Sequence, residues 1–479
     1  MSDHRHHHRH RHHDLTVLHP ATVAQTGIWA AQQQAPDDPL YNCAVAIALD
    51  GTLDHDALRR SVARAVAEAD TLRTRFHATG DGDGAGVGLT VEPAGETGEA
   101  EEATEQGPAG KGLLGVVDLS GRAQPEVAAE QLMDEDLRTA TDLAAEAPCT
   151  HVLFVLGPRR SLLYFRYHHI ALDGFGQYLH CRRLAELYTA YESGRDPAPS
   201  AAAPLVGLLD ETAAYLSSPE RAADAAFWRN EFAAPPQGTP LTGRAASSGR
   251  TVGRTALLSP EQLSTLLGTV GAGVGRWSAT IVAATAAYTH RLTGHPEVIT
   301  SLPMAARHSR AALATPAMLA NVLPLRLPVG PATTFARLVE DAGTKIRSII
   351  RHQRYPTAYL RADLGLPDGS AALVGPEVNV MAFGREFRFG SCTTTPRQLP
   401  AGLIPDLALK VYRTPAGRDG PTGAGPQADS MKIEFLGNAT LYTKDDMATH
   451  QERFLAFLES AATRPDRPLS RLPLPGGGR

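Results

Sequence analysis

Residues 54–69 read DHDALRRSVARAVAEA, and Leu58, Val62, Ala65, Val66 and Ala69 fall on one stripe at helical spacing behind Asp54, a suitable N-cap. At 150–167 two extended apolar runs, THVLFVL and SLLYFRY, flank Gly157-Pro158-Arg159-Arg160 and predict a β-hairpin. A helix is expected next, from about Phe175 to Ser193, with Leu184, Leu187, Tyr188 and Tyr191 on one face. The Pro/Ala-rich stretch Arg195–Pro204 breaks this periodicity and marks a domain boundary, giving units at 15–200 and 201–479. Beyond it the alternation resumes. Ser259-Pro260-Glu261-Gln262 opens a helix, Ser278 is expected to cap another bearing Ile281, Ala284, Tyr288 and Leu292, and VITSLPM follows Gly294 as a strand. LALKVYR and SMKIEFLG flank a Gly/Pro-rich loop at 414–429 and read as a long-looped hairpin, with a last helix over about Lys444–Thr463. Helices and strands alternating in both halves predict the α/β class.

Two stretches carry no such pattern. Residues 1–14 (MSDHRHHHRHRHHD) hold seven of the 19 histidines without apolar periodicity, so a disordered tail is expected rather than a metal site with a fixed ligand set. Residues 78–112 are Gly-rich and acidic apart from the short apolar bridge Val87–Val91, as in a self-repelling surface loop.

Composition narrows the function. A chain of 479 residues, 43% hydrophobic, exceeds what one core usually holds. A net charge of −5 without a basic stripe argues against nucleic acid. No apolar run approaches the length of a membrane span, and the His/Arg-rich start lacks a signal peptide's apolar region, so a cytoplasmic location is expected. The cysteines, Cys43, Cys149, Cys181 and Cys392, have no metal-like or redox-like spacing and read as reduced, packed thiols.

The chemistry concentrates in YHHIALDGFG (Tyr167–Gly176), between the hairpin and the following helix. A histidine held near an aspartate is a common arrangement for proton transfer near neutral pH. The same residues also admit a structural reading, with one histidine in the core and Asp173 capping the helix.

Other blocks shift that balance. HHxxxDG at His168–Gly174, with AQTGIW (Ala24–Trp29), DTLRTRF (Asp70–Phe76), FW (Phe227–Trp228), SLPMAAR (Ser301–Arg307), NVLPLR (Asn321–Arg326) and RHQRYP (Arg351–Pro356) in that order, resembles the condensation domains of nonribosomal peptide synthetases. The resemblance runs from about Leu18 to the last helix. It implies an α/β fold of two chloramphenicol-acetyltransferase-like halves forming a V-shaped pseudo-dimer with a central tunnel. It implies His169 as the acid/base or positioning group, His168 as structural support, and Asp173 as an architectural anion paired with Arg307. Gly174 would let a phosphopantetheine arm pass close to the backbone. Asn321 and Arg326 would shape the tunnel wall, while Trp29, Arg73 and Trp228 would be packing residues. Position 305 is Ala where the family often has Val, and RYPTAYL departs from the usual acidic-aromatic continuation.

The sequence shows neither an adenylating enzyme's phosphate loop nor a carrier serine motif. A free-standing condensation enzyme is therefore expected, without bound metal or permanent cofactor. It would take an acyl or aminoacyl thioester from the phosphopantetheine arm of a donor carrier protein. The acceptor would be an amine or hydroxyl on a small molecule or a second carrier. An epimerisation-type enzyme, a CoA-dependent acyltransferase of the same fold and a non-catalytic docking module are the alternatives.

Overall fold

The computed structural model describes residues 17–80, 86–94, 113–246, 249–270, 274–367, 369–381, 387–399, 404–414 and 430–474. The His-rich tail, most of the acidic insert and the loop at 415–429 lie outside the described residues.

In the first half, Asp54 accepts from the main-chain N–H of Asp56 and Ala57 and starts the helix His55–Ala67. Its buried face packs, with that of the helix Gly174–Glu192, against a five-stranded sheet through Leu58, Val62, Leu163, Phe165, Leu184 and Tyr188. The expected hairpin forms the centre of that sheet, Cys149–Gly157 pairing antiparallel with Arg160–His168. Alternate residues Val152, Phe154 and Tyr164 face the other way, onto the helix Pro125–Leu137. Val87–Val91, expected as a bridge within a loop, belongs to the strand Gly86–Val91, which pairs with Thr74–Thr79 and with His19–Pro20. Val87, Leu89 and Val91 share a small core with Trp29, Phe76 and Ile170.

The second half is a six-stranded sheet backed by the helices Val274–Thr293, Phe335–Arg351 and Lys444–Thr463. LALKVYR and SMKIEFLG pair antiparallel as expected, over Leu407–Thr414 and Ser430–Asn438. Ser259 caps Pro260–Val270, accepting from the N–H of Gln262. Ser278, expected as a cap, lies inside a helix described from Val274 on. Trp277 is 1% exposed, and its burial belongs to an extra turn ahead of Ser278.

The second half of the chain lends a strand to the first. Thr393–Leu399, from the second half of the chain, pairs antiparallel with Asn42–Asp50 at the edge of the first sheet, where Pro396 is tolerated. The helix Leu205–Leu216 likewise sends Leu205 and Leu209 into the small core with Trp29. Among the described residues no helix is long and apolar enough to cross a membrane.

Candidate active site

The HHIALDG segment leaves the end of a central strand and is pinned by main chain from three directions. The N–H of His168 donates to Pro148 O (2.8 Å), that of His169 to Tyr41 O (2.8 Å), and that of Asp173 to Ala317 O (3.3 Å), across the two halves. Ile170 inserts into the small core, which fixes the turn between the histidines and the helix.

His168 is buried. Its Nδ1 accepts from the N–H of Ile170 at 3.2 Å, which leaves the proton on Nε2, facing Gln32 Oε1 at 3.4 Å. Gln32 is held in turn, its amide donating to the carbonyls of Ala35, Pro36 and Asp38. Burial, helped by the neighbouring His169 and Arg166, pushes the His168 ring down to about 3, so it is neutral. Gln25, on the same helix Val23–Gln34, donates to Ile170 O at 3.1 Å. Gln25 lies in the AQTGIW block, but the support that it and Gln32 give the motif is not legible in the sequence, because Ile170 and His168 lie far along the chain.

His169 is different: it is partly exposed where the halves meet. Its Nδ1 is buried with no hydrogen-bond partner among the described residues. That leaves the Nε2 lone pair for a ligand. Burial pushes the ring below its ordinary value and Lys410 adds to this, while its own carbonyl and Asp173 pull it back. A neutral imidazole at pH 7 is the state a base requires.

Asp173 is both cap and joint. Its Oδ1 accepts from the N–H of Gly176 (2.6 Å) and from Arg307 Nη2 (2.9 Å), and its Oδ2 accepts from the N–H of Leu319 and of Ala320 (both 3.0 Å). Arg307 also donates to Ala312, Thr315 and Ala317 carbonyls and lies over the Phe175 ring. The ion pair is buried, with both side chains at most 2% exposed. Ala306, just before it, has φ +49 and donates its N–H to Gln353 Oε1, which aims Arg307 inward at some backbone cost.

A Cβ on Gly174 would meet only Met381 Cε, at 3.5 Å, an ordinary contact. One on Gly176 would lie 2.7 Å from Ala317 O. Close approach of the halves therefore requires glycine at 176, while Gly174 borders on Met381.

The remaining residues have other partners. Asn321 donates to Gln353 O and Tyr355 O and accepts from Thr357, tying down the RHQRYP block. Arg326 pairs with Glu297 (2.7 Å) and donates to Ala234 O. These contacts lie within the second half, and neither side chain is brought to the motif. Trp29 and Trp228 are buried, and Arg73 pairs with Asp70 at 2.6 Å. Among the described residues no group of three or more His, Cys, Asp or Glu could hold a metal ion.

A family model described as Condensation domain matches residues 18–90 and 111–476. The chain belongs to the condensation-domain family. The unmatched interval coincides with the acidic insert, an elaboration on the family pattern. The isonitrile lipopeptide synthase of Streptomyces coeruleorubidus is 35% identical over 96% of this chain and 29% of its own length. The dimodular nonribosomal peptide synthase of Bacillus subtilis is 33% identical over 95% of this chain and 18% of its own. The condensation domain thus spans under a third of these relatives. Among solved structures, the starter condensation domain of rhizomide synthetase in complex with C8-CoA superposes with a TM-score of 0.83 at 30% identity, covering 96% of this chain and 98% of that one. The first condensation domain of the calcium-dependent antibiotic synthetase gives 0.81 at 32%, covering 96% and 100%. The fold is the two-halved, acetyltransferase-like fold of condensation domains, enzymes that form amide bonds by acyl transfer.

Proposed function

We propose that this condensation domain catalyses acyl transfer from a carrier protein. It takes an acyl or aminoacyl group from the phosphopantetheine thioester of a donor carrier protein and passes it to an amine or hydroxyl acceptor. The observation that carries the reading is His169: a ring that burial keeps neutral at pH 7, partly exposed where the two halves meet, with Nδ1 buried and unpartnered among the described residues and Nε2 left to face a ligand. The acceptor's nitrogen or oxygen attacks the thioester carbonyl and gives its proton to Nε2. As the tetrahedral intermediate collapses, the C–S bond breaks, the new C–N or C–O bond remains, and the proton passes to the leaving thiolate. His168, Asp173 and Arg307 hold the segment in place and touch no reacting atom. Proximity of the two reactants supplies much of the rate.

A CoA thioester is the second donor considered, because the rhizomide synthetase domain is seen with C8-CoA. Contacts with a carrier raise the effective concentration of the tethered group, so carrier-bound donor is expected to be used more efficiently than acyl-CoA. The test incubates the protein and His169→Ala with acyl-loaded carriers and with acyl-CoA, with matched amine and alcohol acceptors, and identifies products by mass spectrometry. His169→Ala should lose roughly 10²–10⁴-fold in turnover, most on the alcohol, with unchanged circular dichroism. Near wild-type rates in the folded variant would remove His169 from the mechanism, and equal efficiency with acyl-CoA would favour the CoA-dependent reading.

A further inference from the structure

Val378, Leu409 and Val411 point into the second half's helical core, so on the same strands Glu377, Asn379, Met381 and Lys410 stand on the opposite sheet face. That face looks towards the motif. Met381 reaches Gly174, and the charge of Lys410 acts on both His169 and Cys43. Glu377 pairs in register with Ala408 and Asn379 with Lys410, which puts Glu377 and Lys410 diagonally across adjacent strands. Both are partly exposed, and neither side chain makes an ion pair or hydrogen bond among the described residues. Glu434, directly across from Lys410, is taken by Lys432 and Tyr412. Burial pushes the Glu377 carboxyl up, and Lys410 is the charge that opposes this.

A Lys410 ammonium and a Glu377 carboxylate that feel each other's charge across adjacent strands, yet make no ion pair or hydrogen bond among the described residues, form a two-pole receptor whose positive pole acts on His169. A ligand with one charge would leave one pole unmatched, and an acceptor tethered through a thioester has no free α-carboxylate. A zwitterion satisfies both poles and adds no net charge to the recess. We propose that Lys410 and Glu377 select the acceptor as a free α-amino acid, its carboxylate on Lys410 and its α-ammonium on Glu377. Its side-chain amine or hydroxyl is then presented to His169 for acylation. This assignment rests on the transfer reaction proposed above and adds the chemical class of the acceptor.

The test measures binding without any donor. The full-length protein is screened by thermal shift against the proteinogenic amino acids, ornithine, 2,4-diaminobutyrate and 2,3-diaminopropionate. The best ligand, its methyl ester and its Nα-acetyl derivative are then titrated calorimetrically. The free amino acid should bind about ten-fold or more tightly than either derivative, as expected for loss of a charge-assisted hydrogen bond. Lys410→Met should erase the preference over the ester and Glu377→Gln the preference over the acetylated form, each variant melting like the wild type without ligand. No binder in the panel, equal binding of acid and ester, or preferences that survive in the variants would overturn the assignment. Should a variant not fold, the wild-type comparison of acid with ester decides alone. Because no donor is present, failure of acyl transfer leaves this result intact, and failure here leaves transfer to uncharged or carrier-bound acceptors standing.

Discussion

Gly174 and Gly176 stand two residues apart at the start of one helix, yet space treats them differently. A methyl group at 176 would press against the main-chain O and N of Ala317, at 2.7 and 2.9 Å, and backbone cannot swing aside as a flexible side chain can. Gly176→Ala should therefore push the halves apart and cost roughly 1–3 kcal/mol in chemical denaturation, the usual range for overpacking. Gly174→Ala should leave stability within about 0.5 kcal/mol. Because its methyl would narrow the way past Met381, it should raise the donor's KM more than it lowers kcat. Equal stability losses in the two variants would show that the joint at Ala317 is looser than its contacts indicate.

At the scale of elements, the helix Val23–Gln34 acts as a brace rather than as a wall of the site. Gln25 accepts from the N–H of Thr22 and donates to Ile170 O, so it caps its own helix and satisfies a buried carbonyl of the motif. Gln25→Leu leaves that carbonyl unpaired and should cost about 1–3 kcal/mol, read as a lower midpoint in urea. An unchanged midpoint would mean that water replaces the amide. Elements with a local signal were legible in the sequence: the hairpin around Gly157-Pro158, the helix behind Asp54, and the strands LALKVYR and SMKIEFLG. Thr393–Leu399 was not, because TTTPRQL shows no apolar alternation and becomes a strand by pairing with Asn42–Asp50 far along the chain. The site divides in the same way. Asp173 and Arg307 were expected together from the family pattern, and the structure joins them at 2.9 Å. Glu377 and Lys410 become neighbours only through strand register, which residue type does not disclose.

The whole molecule depends on buried charges and buried neutral rings. Asp173→Asn would strand Arg307 in the joint between the halves and should cost roughly 3–5 kcal/mol, seen as a fall in Tm together with activity. An Asp173→Asn protein as stable as wild type would make the pair dispensable to the fold. The rings respond to acid. His151 on a central strand meets His180 on the helix behind it, Nε2 to Nε2 at 2.9 Å, both packed on Phe165. Burial pushes His180 down to about 3, as it does His168, and moves His151 and His169 in the same direction. Unfolded, each ring takes a proton near pH 6.5. Below that value the unfolded chain therefore binds more protons than the folded one, and stability falls as pH drops from about 6.5 towards 3. His168 and His180 should each contribute up to about 1.4 kcal/mol per pH unit across this window. Urea midpoints should thus fall steeply from pH 7 to pH 5, and His180→Gln, which keeps a polar partner for His151 but does not titrate, should flatten the slope by about one proton. Stability that holds level between pH 7 and pH 5 would show that these rings are protonated in the folded protein as readily as in the unfolded chain.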